Sequence, residues 1–247
     1  MSDRPLQNQV ALVTGGAKRI GRAIALALAG AGASVVVNYN HSRAEAFATA
    51  RDIRALGADS VAIRADVSKP KQVGAMFRAV EKRFGRLDIL VNNAGVFFPA
   101  PLAQLNEADW DRILGINLKG TFFCAQAAAP VMLRQKRGCI INISSLGGLR
   151  AWPEYMHYCA SKAGVIMLTK CLAKALAPHV RVNSVAPGDI MFPDGRVATK
   201  RKPVLRANLL GRPGAGSDIA AAVLFLATHS EFVTGQVIAV DGGKSIA

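Results

Sequence analysis

Residues 9–25 read QVALVTGGAKRIGRAIA, which places an apolar run, two glycines and a helical segment in immediate succession. The run VALV carries no polar side chain, as is typical of a strand buried on both faces. Gly15 and Gly16 permit a tight turn after it, and Gly21 lets the next helix pack closely on the sheet. The free N–H groups at that helix start can bind a diphosphate. This order predicts the first βα unit of a parallel, nucleotide-binding sheet.

The same alternation continues along the whole chain. Strands are predicted at QVALVT, ASVVVNY, SVAIRAD, LDILVNNA, GCIINIS, VRVNSVAP and QVIAVD. Helices are predicted between them, at segments such as RIGRAIALALAGAG, RAEAFATARDIRALG, PKQVGAMFRAVEKRFG and AGVIMLTKCLAKALA. Strands separated by helices form right-handed βαβ units. We therefore predict one α/β domain over residues 1–247, a doubly wound Rossmann-type sheet of about seven parallel strands with helices on both faces.

Composition limits the classes of protein that the chain can belong to. Hydrophobic residues make up 51% of the 247, which argues against disorder, and no apolar stretch is long enough to span a bilayer. The polar N-terminus MSDRPLQNQ lacks the apolar core of a signal peptide. The four cysteines and four histidines are scattered without metal-ligand spacing. We expect a cytoplasmic protein that binds neither a membrane nor a metal.

The net charge of +15 favours an anionic partner. Positive side chains are spread along the sequence, and the densest group lies within residues 196–212. Such a field attracts an anionic cofactor, an anionic substrate or an acidic carrier protein. Because no basic recognition helix or arm accompanies it, we do not expect nucleic-acid binding.

The end of the second predicted strand indicates which dinucleotide is bound. Enzymes that use NAD usually place a carboxylate there for the ribose 2′-hydroxyl. This chain has no carboxylate in that segment before Glu45, and its polar side chains can bind a 2′-phosphate instead. We therefore predict NADPH as the cofactor. The residues expected to hold it are Gly15, Lys18, Arg19, Ile20 and Gly21 at the turn and Asn40, His41, Ser42 and Arg43 at the strand end.

Motifs at the other strand ends complete a recognisable set. In chain order the sequence contains TGGAKRIG, RADV, NNAG, INLKG, Ser145, YCASK and NSVAPG. Together they resemble the short-chain dehydrogenase/reductase superfamily over nearly the whole length. The resemblance implies a homotetramer, assembled through the helices after Asn117 and around Tyr158 and through the C-terminal strand. It also implies further cofactor contacts, namely Asp66 and Val67 at the adenine, Asn93, Ala94 and Gly95 at the ribose, and Pro187 and Gly188 over the nicotinamide.

A candidate reaction centre lies in residues 144–164, SSLGGLRAWPEYMHYCASKAG. Tyr158 and Lys162 are four residues apart, so on a helix they share one face about 6 Å apart along the axis. An ammonium there, together with an oxidised nicotinamide, is expected to lower the pKa of the Tyr158 phenol, which can then give a proton to the substrate. Ser145, at a strand end, can hydrogen-bond the developing oxyanion. The resemblance implies that Lys162 also holds the nicotinamide ribose and that Asn117 anchors a water that relays protons to Lys162.

The neighbouring tyrosine and serine are not predicted to react. Tyr155 is followed four residues later by Cys159, which supplies no positive charge. Ser144 points away from Ser145 if the strand continues through both. Tyr155 and Ser144 are both expected to pack beside the reaction centre or to shape the pocket.

Three local features bear on the substrate. Arg19 stands where the superfamily motif usually has its second glycine, Phe97 and Phe98 follow NNAG, and PGDIMFPDG follows the sixth predicted strand. These features resemble the pteridine reductases, and the resemblance implies that Arg19 and Phe97 contact substrate together with Ser145 and Tyr158. A flat heteroaromatic ring gains stacking and buried area between Phe97 and a nicotinamide. A pteridine reductase is the leading interpretation.

Two departures keep alternatives open. Some pteridine reductases carry an aspartate at the position of Ser145, and His41 replaces a phosphate-binding arginine. The alternative is a 3-oxoacyl-(acyl-carrier-protein) reductase or another carbonyl reductase, because serine suits carbonyl reduction and basic residues 196–212 could dock an acidic carrier. A non-catalytic NADP-binding or nucleic-acid-binding regulator is a more remote alternative. In each enzyme interpretation, residues 189–212 are expected to close over the substrate.

Overall fold

The computed structural model describes residues 4–192 and 208–247. Within these residues the strands are β1 (Val10–Val13), β2 (Ser34–Tyr39), β3 (Ser60–Arg64), β4 (Ile89–Asn92), β5 (Gly138–Ile143), β6 (Val180–Pro187) and β7 (Val237–Val240). They form one parallel sheet in the order β3-β2-β1-β4-β5-β6-β7. Every strand predicted from the sequence is present, and the predicted fold class is confirmed.

Helices connect the strands and cover both faces of the sheet. They are α1 (Arg19–Gly30), α2 (Arg43–Ala55), α3 (Pro70–Phe84), α4 (Glu107–Leu114), α5 (Gly120–Arg134), α6 (Met156–Leu176) and α7 (Gly216–Thr228). One turn of π-helix over Gly115–Lys119 joins α4 to α5. The helix predicted over residues 163–177 starts earlier, so that Tyr158 lies in its first turn. None of the described helices is both long and apolar enough to cross a membrane.

The unbroken apolar runs are explained by burial on both faces. Successive side chains of a strand point to opposite faces, so Val13 packs in the core under α1, α2 and α7, whereas Leu12 packs in the core under α3, α5 and α6. Both side chains are fully buried. Burying one such side chain stabilises the fold by about 1.5–3 kcal/mol.

The strand order places one crevice at a defined point. The chain runs outward from β1 through β2 to β3, then returns to pair β4 on the other side of β1. The connections after β1 and β4 therefore run in opposite directions and leave an opening at the carboxyl ends of these strands. The motifs singled out in the sequence follow these ends.

Candidate active site

A cleft of about 650 Å³ opens at the carboxyl ends of β1, β4, β5 and β6. It is long enough to include both the glycine turn and the predicted reaction centre. Of the predicted site residues, those that line it are Gly15, Lys18, Arg19, Ile20, Gly21, Asn40, Ser42, Asn93, Ala94, Gly95, Phe97, Ser145, Tyr158, Lys162, Pro187 and Gly188. Those that do not line it are His41, Arg43, Asp66, Val67 and Asn117.

The glycine turn has no room for additional side chains. Gly15 has a φ of +60°, in the left-handed region that favours glycine. A Cβ on Gly21 would lie 2.2 Å from the Gly15 carbonyl oxygen and 2.6 Å from Asn93 Nδ2. Gly21 therefore allows α1 to lie directly against the glycine turn. The sequence had suggested that this glycine lets the helix pack on the sheet.

Arg19 takes an unusual conformation in this turn. Its φ is +54°, which is uncommon for a residue with a Cβ and explains why glycine is usual at this position of the motif. Its guanidinium carbon lies 4.8 Å from the centroid of the Phe192 ring, beyond the end of β6. Arg19 thus joins the phosphate side of the cleft to the segment after β6.

Two asparagine side chains hold the turn. Asn38 Oδ1 accepts a hydrogen bond from Gly15 N at 3.2 Å, while its Nδ2 donates to Ala65 O at 3.0 Å. Asn93 Nδ2 donates to the carbonyl oxygens of Thr14 (2.9 Å) and Gly15 (3.1 Å). Asn38 was missed in the sequence, although a lone asparagine within the apolar run VVVNY is a signal of such a role. Asn93 positions the turn in addition to lining the cleft.

The donor set of this half fits an anionic dinucleotide. Lys18 and Arg19 line the cleft beside the start of α1, whose first turn carries no acidic residue. At the end of β2 the cleft is lined by Tyr39, Asn40 and Ser42, without a carboxylate.

Some of the predicted cofactor contacts lie away from the cleft. Asp66 Oδ1 accepts hydrogen bonds from Ser68 N at 2.9 Å and Ser68 Oγ at 2.7 Å, which shapes the loop after β3. Val67 is buried and faces Gly120, where a Cβ would come within 2.8 Å of it. Arg43 is directed at the ring of Phe47, 5.6 Å from its centroid. Cofactor contacts by these residues remain predictions.

The reaction centre brings three predicted side chains together. Ser145 Oγ accepts a hydrogen bond from Gly147 N at 3.0 Å, which fixes the side chain at the end of β5. The side chains of Ser145 and Tyr158 line the same part of the cleft. Burial raises the pKa of Tyr158 to about 12, and the nearby Ser145 side chain only partly offsets this. The phenol is therefore protonated at neutral pH, as a proton donor must be.

Lys162 lies one turn further along α6. It is buried, and its Nζ donates to Ile143 O at 2.8 Å while lying 5.8 Å from the centroid of the Tyr158 ring. Burial lowers the pKa of Lys162 to about 8. The predicted lowering of the Tyr158 pKa by Lys162 and an oxidised nicotinamide stays a prediction. In the structure, removal of the phenol from water raises that pKa, and the Lys162 ammonium is directed at a carbonyl group.

Asn117 is buried between the β4 loop and α6. Its Oδ1 accepts from Val96 N at 2.8 Å, and its Nδ2 donates to Val96 O at 3.1 Å and to Ser161 Oγ at 3.2 Å. The side chain therefore fixes the loop next to Lys162. The predicted water relay stays a prediction.

Aromatic rings form the substrate side of the cleft. The Phe97 ring is stacked on Tyr155, with centroids 4.5 Å apart and planes 3° apart, and meets the Tyr158 ring edge-on at 4.6 Å. Trp152 completes the group, with its plane 4° from that of Tyr158 at 6.2 Å. Sequence reasoning missed Trp152 because it lies between motifs.

Two further cleft residues were missed because they come from elements distant in sequence. The Arg112 guanidinium, on α4, lies 5.4 Å from the centroid of the Phe98 ring. Phe192 reaches the cleft from the segment after β6. Arg112 belongs to no motif, and Phe192 lies within PGDIMFPDG but was not predicted as a site residue, so the folded chain reveals both.

The predicted basic segment lies largely outside the described residues. Arg196, Lys200, Arg201, Lys202 and Arg206 all fall in the undescribed residues 193–207. Arg212 is described, and its guanidinium forms two hydrogen bonds with Asp218, at 2.8 and 2.9 Å. In the described part of the chain, no cluster of side chains could hold a metal ion.

Comparison with known proteins identifies the family. The family model described as enoyl-(acyl carrier protein) reductase matches residues 15–245. The 3-oxoacyl-(acyl-carrier-protein) reductase of Staphylococcus aureus is 46% identical over 94% of this chain and 96% of that protein. The protein of the same name from Synechocystis is 42% identical over 96% and 97%.

Solved structures agree with the sequence relatives. A protein described as a short-chain alcohol dehydrogenase, from Sinorhizobium meliloti, matches with a TM-score of 0.92 at 36% identity and 99% coverage of both chains. A short-chain dehydrogenase/reductase from Burkholderia xenovorans matches with a TM-score of 0.90 at 32% identity, over 97% of this chain and 98% of that one. The chain belongs to the short-chain dehydrogenase/reductase superfamily and is an oxidoreductase of that type.

Proposed function

We propose that this protein is an NADPH-dependent 3-oxoacyl-thioester reductase, acting on acyl groups carried by a carrier protein. The observation that carries the proposal is that Ser145, Tyr158 and Lys162 line the same cleft as the glycine turn, with Lys162 Nζ 5.8 Å from the centroid of the Tyr158 ring. The named relatives support the substrate class, since two of them at over 40% identity and nearly full coverage are 3-oxoacyl-(acyl-carrier-protein) reductases. They favour this alternative over the pteridine reductase that local sequence features suggested.

Side chains of this protein can supply the proton and stabilise the charge that develops during the reaction. When bound, the reduced nicotinamide supplies a hydride to the 3-oxo carbon. Tyr158 gives its phenolic proton to the oxygen, so that ketone plus hydride plus proton yields the 3-hydroxy product. Ser145 supplies a hydrogen bond as charge develops on that oxygen. Lys162, with Nζ 5.8 Å from the centroid of the Tyr158 ring, provides a cation near the phenolate that remains, and it would hold the nicotinamide ribose.

The cofactor preference rests on what the β2 end lacks. A carboxylate there would repel the 2′-phosphate of NADPH, and Tyr39, Asn40 and Ser42 carry no charge. Lys18 and Arg19 add positive charge at the same side of the cleft. We expect kcat/KM to be at least about tenfold higher with NADPH than with NADH, a difference of about 1.4 kcal/mol.

The geometry at Phe97 weighs against pterin stacking. One face of its ring is already covered by Tyr155, stacked at 4.5 Å, and its neighbour Tyr158 meets it edge-on. Packing of the loop explains the phenylalanine without a flat substrate. Contacts of Arg19 and Phe97 with substrate remain proposals.

A substrate panel tests the proposal. NADPH oxidation is measured with acetoacetyl thioesters of carrier protein and of coenzyme A, with a crotonyl thioester and with dihydrobiopterin. Turnover of the 3-oxo thioesters far above the others supports it. Preferred turnover of dihydrobiopterin restores the pteridine interpretation, and preferred crotonyl reduction indicates an enoyl reductase. Salt-sensitive retention of DNA without any turnover indicates the regulator.

Assembly as a cytoplasmic homotetramer belongs to the same proposal. The helices that the family resemblance implies for assembly expose Phe122 and Leu133 on α5 and Met167 on α6. Burial of these side chains between subunits would remove apolar surface from water. Light scattering coupled to gel filtration measures the mass, and a monomer at micromolar concentration contradicts the tetramer.

A further inference from the structure

We propose that Lys244 is a positioning residue for cofactor binding, because it neutralises Asp189 and ties the C-terminal turn to the wall of the cleft. This inference rests on the proposed use of NADPH. It concerns a residue that was not predicted as a site residue from the sequence.

Asp189 occupies a sensitive position. It follows Gly188 directly, and it is the one carboxylate among the described residues that line the cleft. A dinucleotide phosphate carries several negative charges, so an unpaired carboxylate in the same cleft would weaken its binding. The charge of Asp189 therefore has to be balanced locally.

Lys244, 55 residues further along the chain, supplies that balance. Its Nζ lies 2.5 Å from Asp189 Oδ2, and both side chains are largely shielded from solvent, with 26% and 19% of their surfaces exposed. Shielding from water makes such a pair stronger than one on the open surface. Among the described residues, no cation other than Lys244 pairs with Asp189.

The turn that carries Lys244 is itself fixed. The Asp241 carboxylate accepts hydrogen bonds from Gly243 N at 2.9 Å and Ser245 N at 2.7 Å. Gly188 N donates to Val240 O at 3.0 Å, and a Cβ on Gly188 would come within 2.7 Å of Asp241. The C-terminal turn therefore packs directly against the segment that is expected to cover the nicotinamide.

The same turn reaches the loop that follows Ser145. Arg150 Nη1 donates to the main-chain oxygen of Lys244. One residue thus contacts both cleft loops, through its ammonium at Asp189 and through its carbonyl at Arg150. Because the carbonyl contact does not involve the side chain, replacement of the side chain tests the contact with Asp189 alone.

A double-mutant cycle measures the proposed role. NADPH binding is followed by its fluorescence, without substrate, for the wild type, Lys244→Met, Asp189→Asn and the double variant. Lys244→Met is expected to raise Kd about tenfold, and Asp189→Asn added to it should restore binding to within about threefold of the wild type. Lys244→Arg should bind normally. Raising the salt concentration should shrink the defect of Lys244→Met relative to the wild type.

Controls separate this inference from other outcomes. Arg83→Met breaks an exposed ion pair between α3 and Asp59, the residue before β3, and should leave Kd unchanged. Thermal unfolding shows whether each variant is folded, and the double variant tests the charge effect if Lys244→Met is unstable. Equal Kd values for wild type and Lys244→Met, or no restoration in the double variant, overturn the role of Lys244. A wild-type protein that does not bind NADPH contradicts the proposed function instead.

Discussion

The two ends of the cleft use different chemistry. At the glycine turn the cleft is lined by the turn itself with Lys18 and Arg19, and Asn38 and Asn93 hydrogen-bond the main chain of the turn. At the reaction centre it is lined by ionisable side chains whose pKa values burial has moved, with the pKa of Tyr158 raised to about 12 and that of Lys162 lowered to about 8. A change at the first end should act through binding of the cofactor. A change at the second should act on the reaction.

Tyr158→Phe should produce the largest effect. It removes the proton donor and keeps the ring that packs against Phe97. We expect kcat to fall about 10³-fold while NADPH binding stays within about twofold, since acid–base groups typically contribute 10²–10⁴. Steady-state kinetics and fluorescence titration measure the two quantities. Near-normal turnover would remove Tyr158 from the mechanism.

Gly21→Ala should act mainly on cofactor binding rather than on the reaction. Its Cβ would meet the Gly15 carbonyl oxygen at 2.2 Å, so the turn must move. We expect about 2 kcal/mol lower stability and at least about tenfold weaker NADPH binding. Gly30→Ala, at the end of the same helix, has no atom within 4 Å of the new Cβ and serves as the matched control. Equal behaviour of the two variants would contradict the steric argument.

The pKa of Lys162 predicts a pH-dependent stability. An unfolded lysine keeps its proton up to its ordinary value of 10.5, whereas burial makes the folded protein release it near 8. Between these values the unfolded state holds more protons, so the free energy of unfolding should rise with pH. We expect Lys162 to contribute about 2 kcal/mol to this rise by pH 9.5. Urea denaturation of the wild type and of Lys162→Met at pH 7 and 9.5 isolates this contribution. An equal change of the free energy of unfolding with pH in the two proteins contradicts the burial of the charge.

Asn38→Ala should give the smallest effect of the four. It removes the acceptor for Gly15 N and the donor to Ala65 O, both behind the ligand. Unsatisfied buried groups should lower stability by about 1–2 kcal/mol. KM for NADPH should rise a few-fold at unchanged kcat. A fall in kcat at unchanged KM would show that the two ends of the cleft are not independent.

Patterns close together in the sequence predicted well. The seven strands, the turn at Gly15 and the approach of Tyr158 to Ser145 follow from burial on both faces and from strand ends that meet at one edge. Local features predicted the substrate less well. Arg19 and Phe97 indicated a pterin, but both are explained by contacts within the protein, with Phe192 and Tyr155 respectively.

The sequence by itself determined the sheet and the glycine turn, and it predicted which residues react. These depend on the order of apolar runs, glycines and a four-residue spacing, which are local. The tertiary structure alone decided the pKa of Lys162, the role of Asn38 and the pairing of Lys244 with Asp189. Solvent exposure and the distance between residues 55 positions apart are properties of the packed chain, and no local pattern encodes them.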